Sequence, residues 1–443
     1  VCSSDLEKFM DKMADVLGRA GAWCGQNKYL SAIKNAFQNF MPLTIAGAIG
    51  VLWCNVLVND QTGLGLFFKP IMALDFLNPA FQAVNFCTIS CITVGITLGI
   101  AQEIGVWNMG AERAGYIPGL VGLAAWLSVT NTSHMVEGAK EAFTGIAGNE
   151  LGATGLFTGM IIGVLSVELF CFFEKQDALK IKMPEQVPPG VARAFEVLVP
   201  ATITLIITAC IGSACYNLTG LYLNDVIKNG IQGPLGAVGA TIPGVMIIYL
   251  VIMLFWLVGI HGNNMLSAVK EALFTPLALE NVEKFNKGEK PTNIINMYAL
   301  QMWGEFGGSG VTIGLVIAIM IFGKREDNKA IATLSLVPGL FNINETVTFG
   351  VPMVLNPILG IPFVVAPLIT IIIGYVLTVI GFCPVACLTV PWTTPPIVFG
   401  FLACGANVMG AVTQAILIVV STVIYVPFLI SYEKYQNKQA AEA

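Results

Sequence analysis

The chain has 443 residues, 56% of them hydrophobic and only 11% charged, with a formal net charge of −5. Soluble globular domains carry about a quarter charged residues, so this composition excludes an ordinary soluble enzyme, and the lack of a basic stripe argues against nucleic acid as a partner. The 46 glycines and 22 prolines lie within long apolar runs, which suits membrane helices, where both residues are commoner than in soluble ones.

A membrane-spanning helix needs about 20 apolar residues. The opening Val1–Leu6 begins without methionine and is set aside as a fragment end, a scar or an uncertain start. The rest of 1–35 is charged and helix-prone, a cytoplasmic lead-in to the first apolar run, Ala36–Val58. A loop with Asn59, Asp60, Lys69 and Asp75 follows, then a second run, Pro79–Ile104, and a short glycine-rich third, Gly115–Thr130. The fourth is Ala153–Phe173. A charged segment, Glu174–Arg193, with Pro184, Pro188 and Pro189, separates it from the fifth, Ala194–Leu218; the sixth is Val238–Ile260. Beyond Pro291 the pattern breaks up. Glycine interrupts Asn293–Phe322, and Pro338, Asn342, Asn344, Glu345, Pro352 and Asn356 interrupt Ala330–Leu359. Pro362–Phe382 and Gly410–Ser431 are cleaner runs flanking the proline-rich Cys383–Met409. Such broken segments fit re-entrant hairpins, tolerated at membrane depth only where protein or a water-filled cavity covers the backbone.

Lys8, Lys12, Arg19, Lys28 and Lys34 precede the first run and place the N-terminus in the cytoplasm. Counting crossings puts Glu174–Arg193 inside and Thr132–Leu151, with only Lys140, outside. The sixth run then ends inside, ahead of Lys270, Lys284, Lys287 and Lys290, and the 432–443 tail with Lys434 and Lys438 is cytoplasmic too. The chain therefore reads as an all-α polytopic membrane protein, with a regular half over 36–218 and a second half over 219–431. That second half holds the discontinuous helices, which point to a transporter binding site because half-helix ends and unwound backbone supply ligands for a solute.

Several of the 11 cysteines, such as Cys87, Cys91, Cys171 and Cys404, lie in apolar runs and behave as small hydrophobes. Cys383 and Cys387 lack a second pair or a nearby histidine, so neither a metal, a cofactor nor a disulfide framework is expected. His134 sits in the outside loop and reads as solvated. His261, in Gly259-Ile260-His261-Gly262-Asn263-Asn264, ends an apolar run between glycines that admit another backbone or a ligand; it fits a site residue and an interfacial helix end equally. Glu345 is an ionisable group inside an apolar stretch, which marks a functional site or an ion pair that fixes a hairpin. Asn342 and Asn344 beside it carry amides suited to sugar hydroxyls. Phe306-Gly307-Gly308-Ser309-Gly310-Val311-Thr312 lacks the lysine of a P-loop and reads as a hairpin tip. Pro391-Trp392-Thr393-Thr394-Pro395-Pro396 offers an aromatic plate and hydroxyls, suited to a pyranose face or to an interfacial anchor.

In order, these segments resemble the IIC permease of the lactose/cellobiose/diacetylchitobiose phosphotransferase family. The resemblance is carried by Tyr29–Phe37 with Met41-Pro42-Leu43, Gly259–Asn263, Phe306–Thr312, Pro338–Glu345 through Asn356-Pro357, and Pro391–Pro396. The family pattern has proline after the glutamate; this chain has Thr346. The resemblance implies about ten transmembrane helices plus two re-entrant hairpins in the bacterial inner membrane, with both termini cytoplasmic. It implies a homodimer joined through the N-terminal half, with the sugar, a β-linked disaccharide such as cellobiose, held in the C-terminal half. A phosphocysteine of a separate IIB protein, itself served by IIA, would phosphorylate the sugar's 6-hydroxyl. No IIA or IIB domain is evident in this chain, which would be inert in phosphoryl transfer alone. Glu345 would bind or deprotonate the hydroxyl, His261 would orient it, and Trp392 would stack on a ring. Asn344, Asn263, Asn342, Ser309 and Thr393 would support binding.

Two other readings compete. In a proton-coupled sugar symporter Glu345 would carry the proton and the sugar would arrive unmodified. An intramembrane enzyme acting on lipid would use the same pair, but neither a metal-ligand set nor a nucleophile motif accompanies them.

Overall fold

The computed structural model describes residues 12, 15–23, 26–60, 64–134, 143–184, 186–234 and 239–442, so Val1–Leu6, Lys8 and Lys140 lie outside the described residues. Helices make up the regular secondary structure of the described residues apart from one short hairpin, in which Ser133–His134 (β1) pairs antiparallel with Phe143–Thr144 (β2). Two compact units emerge, one of Gln26–Gly50 and Pro79–Ala237, the other of Val1–Gly25, Val51–Asn78 and Val238–Ala443.

The first unit is built on α1 (Lys28–Leu52), α2 (Asn78–Asn85), α3 (Ile92–Met109), α4 (Ile117–Val129), α5 (Ala153–Glu174) and α6 (Pro189–Thr219). Helices α3, α4 and α5 pack closely on one another, and α4 and α5 also pack on α6. The approach is set by small residues: a Cβ on Gly122 of α4 would lie 2.3 Å from the Ala101 Cβ of α3. Interfaces of this kind are how membrane helices gain contact without a hydrophobic driving force between them. Glu103 on α3 accepts from the amides of Asn35 (2.9 Å) and Asn39 (3.4 Å) on α1.

The segment Glu174–Arg193, expected as a charged loop, is tied into this unit at both ends. Glu174 is 2% exposed and ends α5, while α6 starts early, at Pro189, with proline at its first position. Arg113 pairs with Glu174 at 2.8 Å and Glu196 at 3.0 Å, and Arg193 pairs with the same two carboxylates at 3.0 and 2.8 Å. Two arginines on one carboxylate are what permit the burial of Glu174, while Arg113 stays 47% exposed.

The second unit contains α7 (Ile242–Leu257), α8 (Gly262–Asn286), α9 (Met297–Gly304), α10 (Ile313–Phe322), α11 (Glu326–Leu340), α12 (Glu345–Gly350), α13 (Gly360–Val379), α14 (Val398–Ala403) and α15 (Val408–Glu442). Residues 262–286, whose lysines suggest a cytoplasmic stretch, form the 25-residue α8. Lys284 and Lys287 make exposed pairs one turn away with Glu280 and Glu283, but Lys270 is only 5% exposed and bonds Glu305. The expected break at Pro338 is also displaced. Pro338 forfeits one i→i−4 bond, to Leu334 O, without ending the helix, and α11 runs on to Leu340. It stops in a Schellman cap: Ile343 N–H donates to Pro338 O, Asn342 N–H to Gly339 O, and Asn342 takes φ +62°. The C-terminal tail is continuous with the last apolar run, in the 35-residue α15.

By length and composition, five described helices can cross a membrane, or up to seven if two bent pairs each count as one span. The bends are 42° between Lys69–Ser90 and Ile92–Met109, and 59° between Met297–Val311 and Ile313–Phe322. The second falls at the glycine-rich breaker.

The Gly122–Ala101 contact gives a size-swap test. Gly122→Ala should cost about 1–3 kcal/mol by overpacking and lower the melting temperature in detergent. Adding Ala101→Gly, which removes the opposing methyl, should restore most of the loss. Equal melting of the single and double variants would rule out this packing.

Candidate functional site

All the candidate site residues lie in the second unit, at helix starts (His261, Asn263, Glu345) or on the non-helical segments between helices. His261 caps the N-terminus of α8, its Nδ1 accepting from Asn264 N–H at 3.2 Å. A ring nitrogen that accepts carries no proton, so in the neutral ring the hydrogen is on Nε2. Nε2 stands 3.9 Å from Glu345 Oε1, and the ring rests on Trp256 with centroids 4.4 Å apart. Both side chains remain accessible, 38% for His261 and 47% for Glu345. Gly259 takes φ +81°, and Gly262 comes so near α7 that a Cβ would lie 2.0 Å from Ile252 O. Gly262 thus serves the close backbone approach expected of the flanking glycines, while Gly259 supplies a left-handed turn.

The tip Phe306–Thr312 folds through Gly307, Gly308 and Gly310, all with positive φ. Its loose polar groups are taken by side chains. Tyr425 O–H donates to Gly310 O at 2.8 Å, Thr312 O–H to Gly307 O at 2.6 Å, and the Asn344 amide to Ser309 O at 2.7 Å. At Gly308, a Cβ would meet the Asn344 Cβ at 2.7 Å, so residues 308 and 344 interlock.

Asn342 spans two segments. Its Oδ1 accepts from Gly307 N–H at 2.6 Å, and its amide nitrogen donates to Trp392 O at 2.5 Å and Thr394 O at 3.2 Å. Both amide hydrogens are therefore spent on backbone, and the left-handed cap of α11 becomes a clasp. Trp392 is 45% exposed; Asn342 grips its carbonyl and leaves its indole face open. The backbone of Pro391–Thr394 closes in a turn, Thr394 N–H donating to Pro391 O at 2.9 Å, which carries Thr393 beside Trp392.

A second polar chain runs inward from Ser309. The Asn263 amide donates to Ser309 Oγ at 2.8 Å, and Lys270 Nζ donates to Asn263 Oδ1 at 3.0 Å. Lys270 also bonds Glu305, which accepts from Tyr249 O–H at 2.7 Å. Sequence reasoning missed Lys270 and Glu305. The available signal was positional: Lys270 lies seven residues, two helical turns, beyond Asn263, and Glu305 directly precedes the glycine-rich tip. Of the expected residues, the fold brings together His261 with Glu345, Asn263 with Ser309, Ser309 with Asn344, and Asn342 with the Trp392–Thr394 backbone.

The family model for the phosphotransferase system EIIC matches residues 34–367. The oligo-beta-mannoside-specific EIIC component of Bacillus subtilis (strain 168) is 32% identical over 433 residues, covering 97% of this chain and 94% of its own. The cellobiose-specific EIIC component of Lactococcus lactis subsp. lactis (strain IL1403) is 30% identical, with coverages of 96% and 98%. The crystal structure of the IIC component of the N,N'-diacetylchitobiose-specific phosphotransferase system superposes with a TM-score of 0.86 at 29% identity, covering 95% of this chain and 97% of that one. With a family match over most of its length and relatives aligned nearly end to end, the chain belongs to the EIIC sugar permeases of the phosphotransferase system, in their cellobiose/lactose branch.

Proposed function

We propose that this permease carries a β-linked disaccharide such as cellobiose across the bacterial inner membrane while phospho-IIB phosphorylates its 6-hydroxyl. The observation that carries the reading is the gap between His261 Nε2 and Glu345 Oε1, 3.9 Å. It is too long for a direct hydrogen bond, yet one hydroxyl can touch both groups at about 2.9 and 2.7 Å. His261 Nε2–H then orients the hydroxyl oxygen, and Glu345 receives its proton. The oxygen forms a bond to phosphorus as the S–P bond of the IIB phosphocysteine breaks, and the electron pair leaves on the thiolate. Positioned proton transfer of this kind contributes about 10²–10⁴-fold in rate.

Trp392 stacks on a sugar ring, while Asn263, Ser309, Asn344 and Thr393 line the site; Asn342 supports it through the loop that bears Trp392. The cellobiose- and oligo-beta-mannoside-specific relatives support a β-linked disaccharide. The partners of this reading are IIB and IIA proteins and a second copy of the chain, paired through the N-terminal half, 36–218. The C-terminal half, 219–431, holds the sugar. The bent pair at the glycine tip and the broken stretches around it support re-entrant hairpins, within about ten spans whose two ends face the cytoplasm.

The test is uptake of labelled disaccharides into vesicles holding the chain, with phosphorylated IIB inside. Sugar phosphate should accumulate only with IIB, and Glu345→Gln should lower it about 100-fold or more. Unmodified sugar following a proton gradient would overturn the reading in favour of a symporter. In equilibrium binding, Trp392→Ala should weaken the preferred sugar about tenfold and Trp392→Phe much less. Asn342→Gly, which keeps the left-handed cap but releases the loop, should also weaken it without unfolding the protein.

A further inference from the structure

Lys270 and Glu305 form a charge pair inside the second unit that the transfer chemistry above does not use. Burying a cation and an anion is costly, and within membrane proteins such pairs persist where they serve a site. Here the pair is backed by Tyr249, which is fully buried, bonds Glu305 through its hydroxyl and lies under the ammonium at 5.5 Å from ring centroid to Nζ. Among the described residues, the remaining side-chain hydrogen bond of Lys270 is to the amide of Asn263. An ammonium has three hydrogens to donate and no lone pair, so the atom it faces at 3.0 Å must be the amide oxygen. The amide nitrogen consequently faces Ser309 Oγ at 2.8 Å, and that oxygen must accept. One hydrogen remains on the amide nitrogen and one on the hydroxyl of Ser309, which is only 4% exposed, and no hydrogen bond among the described residues takes up either.

We propose that Lys270, locked against Glu305, is a positioning residue that fixes Asn263 and Ser309 as hydrogen-bond donors, so that this end of the site recognises an acceptor oxygen of the sugar. The inference rests on the sugar-permease reading and adds its polarity. Without the ammonium the amide can turn over and present its carbonyl, which repels the same oxygen. A bound sugar that offers a hydroxyl or acetal oxygen here is selected over one that offers a donor alone.

The experiment is a double-mutant cycle on equilibrium binding, with the full chain in lipid nanodiscs and labelled cellobiose, lactose and diacetylchitobiose as probes. Lys270→Met combined with Glu305→Gln removes the pair without stranding a charge; elution on size exclusion and melting confirm folding. In the presence of Asn263, this change should weaken the best-bound probe about tenfold. In an Asn263→Ala background it should add less than about twofold, because its only route to the sugar is gone. Equal losses in both backgrounds would make Lys270 a purely structural residue and overturn the inference. Should the paired variant fail to fold, Asn263→Asp supplies the test: it keeps a partner for Lys270 but offers no amide donor, and wild-type affinity in that variant overturns the inference as well. A wild-type chain that binds none of the probes sinks the disaccharide reading itself, a result distinct from either failure of the cycle.

Discussion

Backbone that leaves a helix in an apolar surround must have its N–H and C=O groups satisfied by neighbouring side chains, since no water is at hand to do so. In the second unit this work falls mainly to amides. Asn281 and Asn296 both donate to Ala386 O, at 3.0 and 3.1 Å, and Asn281 Oδ1 accepts from Thr292 and Asn293 N–H. Gln414 on α15 accepts from Ile397 and Gly400 N–H at 2.8 and 2.7 Å and donates to Met302 O at 3.2 Å. Asn342 and Asn344 do the same for the glycine tip and the tryptophan loop. An amide carries both a donor and an acceptor without a charge, so it can replace either half of a missing backbone ladder at a lower desolvation cost than a carboxylate or ammonium.

This division of labour separates two sorts of polar residue that look alike in a sequence. One sort is occupied with backbone on all its atoms. The other keeps an atom in reserve: His261 Nε2, the Glu345 carboxylate and the hydroxyl of Ser309. Ser309 lies on a tip whose backbone Asn342 and Asn344 pin, Glu345 directly follows Asn344, and the turn before His261 is held by its own backbone hydrogen bonds. The positions of the reserve atoms are therefore fixed by packing and hydrogen bonds rather than by the solute, and a solute meeting them does not have to pay the entropy of ordering them.

Much of this was legible in the sequence where the signal was a break in an apolar pattern. The glycine-rich 306–312, the interrupted 330–359 and the proline-rich 383–409 all fall where helices end or bend, and His261 and Glu345, each singled out separately in an apolar run, stand 3.9 Å apart. Pairing was not legible. Lys270 was indistinguishable from lysines 284, 287 and 290, because a charge shows its type but not its partner 35 residues away. Glu174 and Arg193 misled for the same reason: charges that neutralise each other in space read as a solvated segment in one dimension. Pro338 was taken for a break, yet the stop came from Asn342, whose left-handed conformation depends on hydrogen bonds to Gly307, Trp392 and Thr394 that sequence distance conceals.

Asn342 grips the tryptophan loop through carbonyl oxygens. A carbonyl is the same at every residue, so the grip of Asn342 on positions 392 and 394 is indifferent to the side chains that stand there. Substitutions at 392 and 393 can accumulate over generations without disturbing the loop's course, and the clasp residue need not change in step. A fold arranged in this way can diversify across solutes of different shape while its frame stays constant, with variation concentrated at the side chains and constraint concentrated at one asparagine behind them.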